Sequence, residues 1–348
     1  MESSRWKRAA SHKREPTESV DPYARRRTGQ FHSRPARGGM LITLISVVGW
    51  AVCLLVGLSV QRRIREPDRL THILFIVSLW VATPLLVFFS LSTLALHAGL
   101  VTALAVTVAA SWLMVGVGML WAWVGGRDSR ERGVLALATS MGNTGSLGYP
   151  LVLIVFGPQG LALAVVFSVA QFLIPSLAVA LGIARRFAGP GSYVADSPGL
   201  GAMVRNWLFN APVAAGALAV VLRLLNVDLS QVVAPMGTVV GVGVGMLGFL
   251  QVGIATPLGR LAYGRGDFWR AALTITLRCG AAPLVLYLLG LVTGVNIPAV
   301  FLLLAAMPVA FNTMVLARVC DLEAGLARLL IVVSTFLVIV GVLVWQIL

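Results

Sequence analysis

Gly142-Asn143-Thr144-Gly145-Ser146-Leu147-Gly148-Tyr149-Pro150 interrupts an apolar run that is otherwise long enough to cross a bilayer. Gly142, Gly145 and Gly148, an asparagine and Pro150 crowded into this stretch break any continuous helix. Gly costs about 1 kcal/mol and Pro about 3 kcal/mol in a helix interior. Inside hydrocarbon the backbone groups freed by such a break must be satisfied by protein, water or ligand. A break at mid-membrane therefore lines a cavity instead of facing lipid.

A second interrupted run lies near the C-terminus, Met307-Pro308-Val309-Ala310-Phe311-Asn312-Thr313, with Pro308 as its breaker. Counting apolar runs, the two breaks fall in the fourth and the ninth, five apart. The runs after the breaks also begin alike: Gly160-Leu161-Ala162 opens the fifth and Gly325-Leu326-Ala327 the tenth. A repeat unit with an odd number of crossings inserts upside-down relative to its copy. Interrupted segments at matching positions of two inverted halves are the best sequence pointer to a transporter's binding site. Gly and Pro are common in membrane helices in general, but two breaks at matching positions, each with Asn-Thr, weigh against coincidence.

The composition sets the same frame. Of 348 residues 58% are hydrophobic and only 11% charged, against about 25% charged in soluble domains. The spans read as 41–61, 70–92, 98–124, 132–156, 160–184, 207–226, 232–256, 268–291, 298–317 and 324–347. Each is near the roughly 20 residues that cross a ~30 Å core. The expected fold is an all-α integral membrane protein with ten transmembrane helices in two inverted five-helix repeats, residues 40–185 and 207–348, joined by a cytoplasmic linker at 186–206. The fourth and ninth helices are broken.

Arginines orient this frame. Beyond residue 39 there are 17, and 15 fall on alternate connections. They are Arg62, Arg63, Arg65 and Arg69; Arg127, Arg130 and Arg132; Arg185, Arg186 and Arg205; Arg260, Arg265 and Arg270; Arg318 and Arg328. The other set of connections carries Arg223 alone, and Arg278 lies inside a span. Cytoplasmic loops are the ones enriched in Lys and Arg, so the rich set is inside and the N-terminus outside. Residues 1–39 conflict with this. They hold ten Lys/Arg and four acids, a composition that cannot bury a core and reads as a disordered basic tail. The conflict is resolved if translation starts at Met40, directly before the first span.

Five residues are candidates for holding cargo: Asn143, Thr144, Asn312, Thr313 and Arg278. Each Asn side chain offers two donors and an acceptor, which suits a carboxylate or a bound water; its structural role would be to repair the broken backbone. Arg278 lies near mid-membrane, ~15 Å along the helix from Phe268 at 1.5 Å per residue. An ionisable residue at that depth is costly and is a functional candidate by default, unless the side chain snorkels to the surface. Gln171, Gln251, Ser334 and Thr335 read as helix–helix hydrogen-bond partners.

Other chemistries find no support. No Asp or Glu lies deep in a span, Asp228 and Asp267 being borderline, so a buried carboxylate relay is not visible. Cys53, Cys279 and Cys320 are odd in number and widely spaced, which fits neither a disulfide framework nor a zinc site. His12, His32, His72 and His97 lie in the tail or near span ends. There is no phosphate-binding loop, so no nucleotide and no other cofactor or metal is expected. The net charge of +14 sits at membrane boundaries, where it sets topology and meets anionic lipid; a nucleic-acid partner is not expected.

The stretch Gly142-Asn143-Thr144-Gly145-x-Leu147-Gly148-x-Pro150-Leu151, followed by Phe156-Gly157-Pro158-x-Gly160-Leu161-Ala162, resembles the auxin efflux carrier family of membrane transporters. So does Pro308-x-x-x-Asn312-Thr313-x-Val315-Leu316-Ala317, with weaker agreement at Pro84 and at Asn210-Ala211-Pro212. The resemblance implies ten helices in two inverted repeats. It implies a scaffold of the first, second, sixth and seventh helices, and a transport part in which two broken helices cross beside the substrate. It carries over Asn143 and Asn312 as site positions and Pro150 and Pro308 as breakers, and it implies an outside N-terminus. Bacterial members are associated with organic anions such as dicarboxylates. Ser146, Tyr149 and the long basic tail depart from the family pattern, which leaves the substrate open.

The reading is a secondary transporter of a small organic anion, a carboxylate or auxin-like acid, working by alternating access in the cytoplasmic membrane. Its partners are that anion and the lipid bilayer; coupling to protons or sodium follows from class alone, and a homodimer is compatible with it. The rivals are a channel, which needs a continuous path, a non-transporting receptor of the same fold, and an intramembrane enzyme, for which the spans supply no catalytic acid, histidine or metal cluster.

Overall fold

The computed structural model describes residues 37–64, 66–94, 97–171, 177–190, 192, 211–225, 227, 230–255 and 265–347. The tail before residue 37, Arg65, Arg205, Arg260, Asp228, Asn210 and most of the 186–206 linker lie outside the described residues. The chain divides into two units, Met1–Ile42 and Thr43–Leu348. Of the first, only residues 37–42 are described, at the start of the first helix.

Among the described residues the regular structure is helical. The helices are α1 (Arg37–Gln61), α2 (Pro67–Val77), α3 (Thr83–Thr93), α4 (Ala98–Gly125), α5 (Ser129–Ser140), α6 (Tyr149–Gln171), α7 (Leu177–Phe187), α8 (Ala211–Leu224), α9 (Ser230–Ala255), α10 (Arg265–Thr276), α11 (Ala282–Thr293), α12 (Ala299–Ala305), α13 (Asn312–Val319) and α14 (Ala324–Ile347). Among the described residues three stretches are long and apolar enough to cross a membrane: Ala98–Gly125, Asp267–Thr293 and Ala324–Val342. Shorter apolar helices include Val48–Gln61, Trp80–Ser92 and Val239–Ile254.

Among the described residues three widened π turns punctuate the helices, at Ser78–Ala82, Thr144–Gly148 and Leu277–Ala281. Each is followed two residues later by a proline: Pro84, Pro150 and Pro283. Proline has no N–H and its ring collides with the carbonyl four residues back. A wider turn moves that carbonyl aside. At the first, the Ser78 carbonyl accepts from both the Thr83 N–H and, at 2.8 Å, the Thr83 hydroxyl. Where α6 runs from the fourth expected span into the fifth, Gly157 takes φ 68°, ψ −167°, which glycine adopts without strain.

The interior of residues 43–348 is split in two. One apolar cluster gathers Trp50, Leu86, Leu147, Val152, Phe167, Val244, Leu286, Phe301 and Met307; the other gathers Leu135, Met141, Phe187, Ile275, Val309, Met314 and Leu330. α9 fits against its neighbours through glycines. A Cβ at Gly253 or Gly57 would strike the other's backbone, and one at Gly248 would lie 2.5 Å from the Ser146 carbonyl. Trp50 on α1 stacks on Phe249 and donates through Nε1 to the Val242 carbonyl at 3.1 Å.

Ion pairs tie arginine-rich connections to one another. Arg127 pairs with Asp267 at 2.8 Å and Arg130 with Asp321 at 2.5 Å. These join the α4–α5 connection to the first turn of α10 and to the α13–α14 connection. Arg130 also donates to the Asp321 carbonyl, holding a residue whose φ is 51°. From the other set of connections, Arg223 donates to the Leu94 carbonyl.

Candidate functional site

The two interrupted runs meet. α5 ends at Ser140 and α12 at Ala305, and the loops beyond them run antiparallel past each other. Gly142 and Val309 form an isolated antiparallel bridge. The Asn143 N–H donates to the Pro308 carbonyl at 2.7 Å, and the Ala310 N–H donates to the Met141 carbonyl at 2.9 Å. Buried backbone groups need partners, and here each break supplies the other's. Val309 N–H finds the Ser334 hydroxyl of α14 at 3.1 Å, and that hydroxyl donates on to the Ile331 carbonyl.

After each break a helix restarts. The π turn begins at Thr144 and continues into α6 with Pro150 buried, while α13 begins at Asn312. Helix N-termini carry partial positive charge and unpaired N–H groups. Around them Asn143 is 5% exposed, Thr144 9% and Thr313 0%; Asn312 is half-buried. Asn143 Nδ2 and Thr313 Oγ1 are buried without a hydrogen-bond partner among the described residues. Such atoms cost about 1–3 kcal/mol each when left unpaired.

The opposite ends, where α5 and α12 stop, present carbonyls and partial negative charge. Arg278 reaches both. Its Nη2 donates to the Ala305 carbonyl at 2.8 Å, Nε to Met307 at 3.1 Å and Nη1 to Ser140 at 3.5 Å. Only 1% of the residue is exposed. The side chain is therefore enclosed by the protein and does not reach its surface. Its place in the π turn Leu277–Ala281 is where the helix is widest. Gly142 makes room for it, since a Cβ there would lie 2.5 Å from Nη2. Gly145 meets nothing within 4 Å, and a Cβ at Gly148 would press on Leu304.

A small cavity adjoins the guanidinium, lined in part by Thr107, Ser111, Ser140, Gln171 and Arg278. The hydroxyls of Thr107, Ser111 and Ser140 donate to helix carbonyls on their own helices, leaving acceptor lone pairs toward neighbours. Gln251 and Thr335 are also buried, each with a polar atom that has no partner among the described residues. Among the described residues no group of His, Cys, Asp or Glu could hold a metal.

Sequence reasoning named the residues of the crossing but not how Arg278 is held: no local pattern indicates that a guanidinium will be met by carbonyls from two other helices. It also passed over Thr107 and Ser111, whose one-turn spacing on α4 was the available signal.

Residues 41–190 match the family model described as "Membrane transport protein". An "Uncharacterized transporter" of Methanothermobacter thermautotrophicus is 29% identical over 235 residues, covering 66% of this chain and 72% of that protein. Both point to transport. Over residues 41–190 the chain is similar to membrane transport proteins.

Proposed function

We propose that the protein is a secondary transporter that moves a small organic anion, a carboxylate or auxin-like acid, across the membrane by alternating access. The observation that carries this reading is the hydrogen-bonded crossing of the two breaks, with Asn143 Nδ2 and Thr313 Oγ1 buried beside it and unpartnered. The helix starts at Thr144 and Asn312 favour a negative charge, and Arg278 offsets the negative helix ends on the other side. The pairing of one break from residues 40–185 with one from 207–348 suits two inverted repeats whose discontinuous helices frame a midplane site. Asn143, Thr144, Asn312 and Thr313 are the proposed ligands. A proton or sodium gradient is the coupling the class suggests.

The test is a thermal-shift screen of purified protein with succinate, malate, citrate and indole-3-acetate. A ligand stabilises the form it binds by mass action. An acid of this set should raise the melting temperature saturably, and the rise should vanish in Asn143→Ala. A panel without effect, or an effect that survives that substitution, would contradict the reading.

A further inference from the structure

The environment of Arg278 is unusual in what it lacks. A buried arginine ordinarily pairs with a carboxylate, yet among the described residues none does so here. Its neighbours are the Ala305 and Ser140 carbonyls, which end α12 and α5, and the Met307 carbonyl in the break just beyond α12. The negative potential that keeps this charge at depth comes from backbone dipoles at two helix C-termini. Unwound carbonyls and half-helix C-termini are also the groups with which broken-helix carriers coordinate free sodium. We propose that the Arg278 guanidinium is a tethered cation, filling with its own charge the carbonyl cluster at which such a carrier holds a metal ion, so that the transport cycle has no metal-ion requirement.

The geometry fits a fixed occupant. Three donors of a planar fork address two helix ends at once, which a spherical ion or a single ammonium cannot do in the same way. Gly142 leaves the space that Nη2 fills. Arg278 is then a positioning residue: it holds the ends of α5 and α12 together so that Asn143 and Asn312 keep their places, and cargo meets the opposite, positive ends. The consequence for coupling rests on the transporter reading above; the occupancy of the carbonyl cluster does not.

The experiment uses purified full-length protein, wild type and Arg278→Gly, melted in low millimolar guanidinium, sodium or choline chloride. Guanidinium is a general denaturant, so stabilisation by it is specific. The variant should melt lower than wild type and recover by a few degrees, saturably, with guanidinium, as mass action requires of a refilled site. Wild type should show no saturable sodium response relative to choline. A wild type stabilised saturably by sodium overturns the proposal, and so does a variant that guanidinium only destabilises. If Arg278→Gly does not fold, the sodium titration of wild type decides alone. Failure of the protein to carry any anion in liposomes would sink the transporter reading and leave this melting result standing.

Discussion

Gly142 passes Arg278 so closely that a Cβ on the glycine would stand 2.5 Å from Nη2. The first break thus owes its path to a residue in another helix. Gly142→Ala should displace the guanidinium from its carbonyls and destabilise the protein by about 1–3 kcal/mol, the usual cost of overpacking. Gly145→Ala, three residues on with open space around it, should be close to neutral. Melting the two variants side by side checks this; equal melting temperatures would show that the close approach is not a constraint.

Thr313 separates binding from stability. Its hydroxyl is buried and unpartnered, and the residue is 0% exposed. Thr313→Val keeps the shape and removes the stranded group, so the ligand-free protein should melt no lower than wild type and up to about 1–3 kcal/mol more stably. Affinity for the anion should fall roughly tenfold, the equivalent of ~1.4 kcal/mol. A paired melting and binding titration reads both, and a variant that loses stability while keeping affinity would assign the hydroxyl a structural role.

Ser334 of α14 accepts the Val309 N–H at 3.1 Å. Ser334→Ala leaves that buried donor without its partner, at about 1–3 kcal/mol. Ser334→Thr keeps the oxygen and should retain most of the stability. Chemical denaturation of both variants distinguishes lost hydrogen bonding from a change in packing.

The breaks themselves were legible because their cause is local, but the first is narrower than the sequence suggests: Met141 to Asn143 leave the helix, whereas Gly145, Gly148 and Pro150 lie within the π turn and the start of α6, so they widen the helix instead of ending it. Apolar runs were legible for the same reason. The partners of Arg278 were not, since the carbonyls of Ser140 and Ala305 come from helices far away in sequence and a carbonyl is common to every residue. Nor were the π turns at Ser78–Ala82 and Leu277–Ala281. Each precedes a proline by two residues, and hydropathy alone does not say whether a proline kinks, widens or ends a helix. The reading of Arg278 as a cargo ligand was reasonable from its depth. Its three carbonyl contacts favour a supporting role instead.

Arginine placement predicts the orientation. In a chain lacking reactive thiols, Arg127→Cys should react with a membrane-impermeant maleimide only from the cytoplasmic side, and Arg223→Cys only from outside. Of the native thiols, Cys320 is a weak background, because it is buried and burial pushes its pKa up against the opposing pull of Arg185. Less thiolate is then present at neutral pH, and the thiolate is the nucleophile. Labelling of both positions from one side would overturn the topology.

The central claim is that the crossing of the two breaks holds the cargo. It is tested most directly by counterflow into liposomes containing the purified protein, with the radiolabelled acid that gives the largest melting shift. Wild type should show saturable, transient accumulation, and the Asn143→Ala, Asn312→Ala double variant should show none while melting in its ligand-free form near wild type. Undiminished counterflow through the folded double variant would contradict the account.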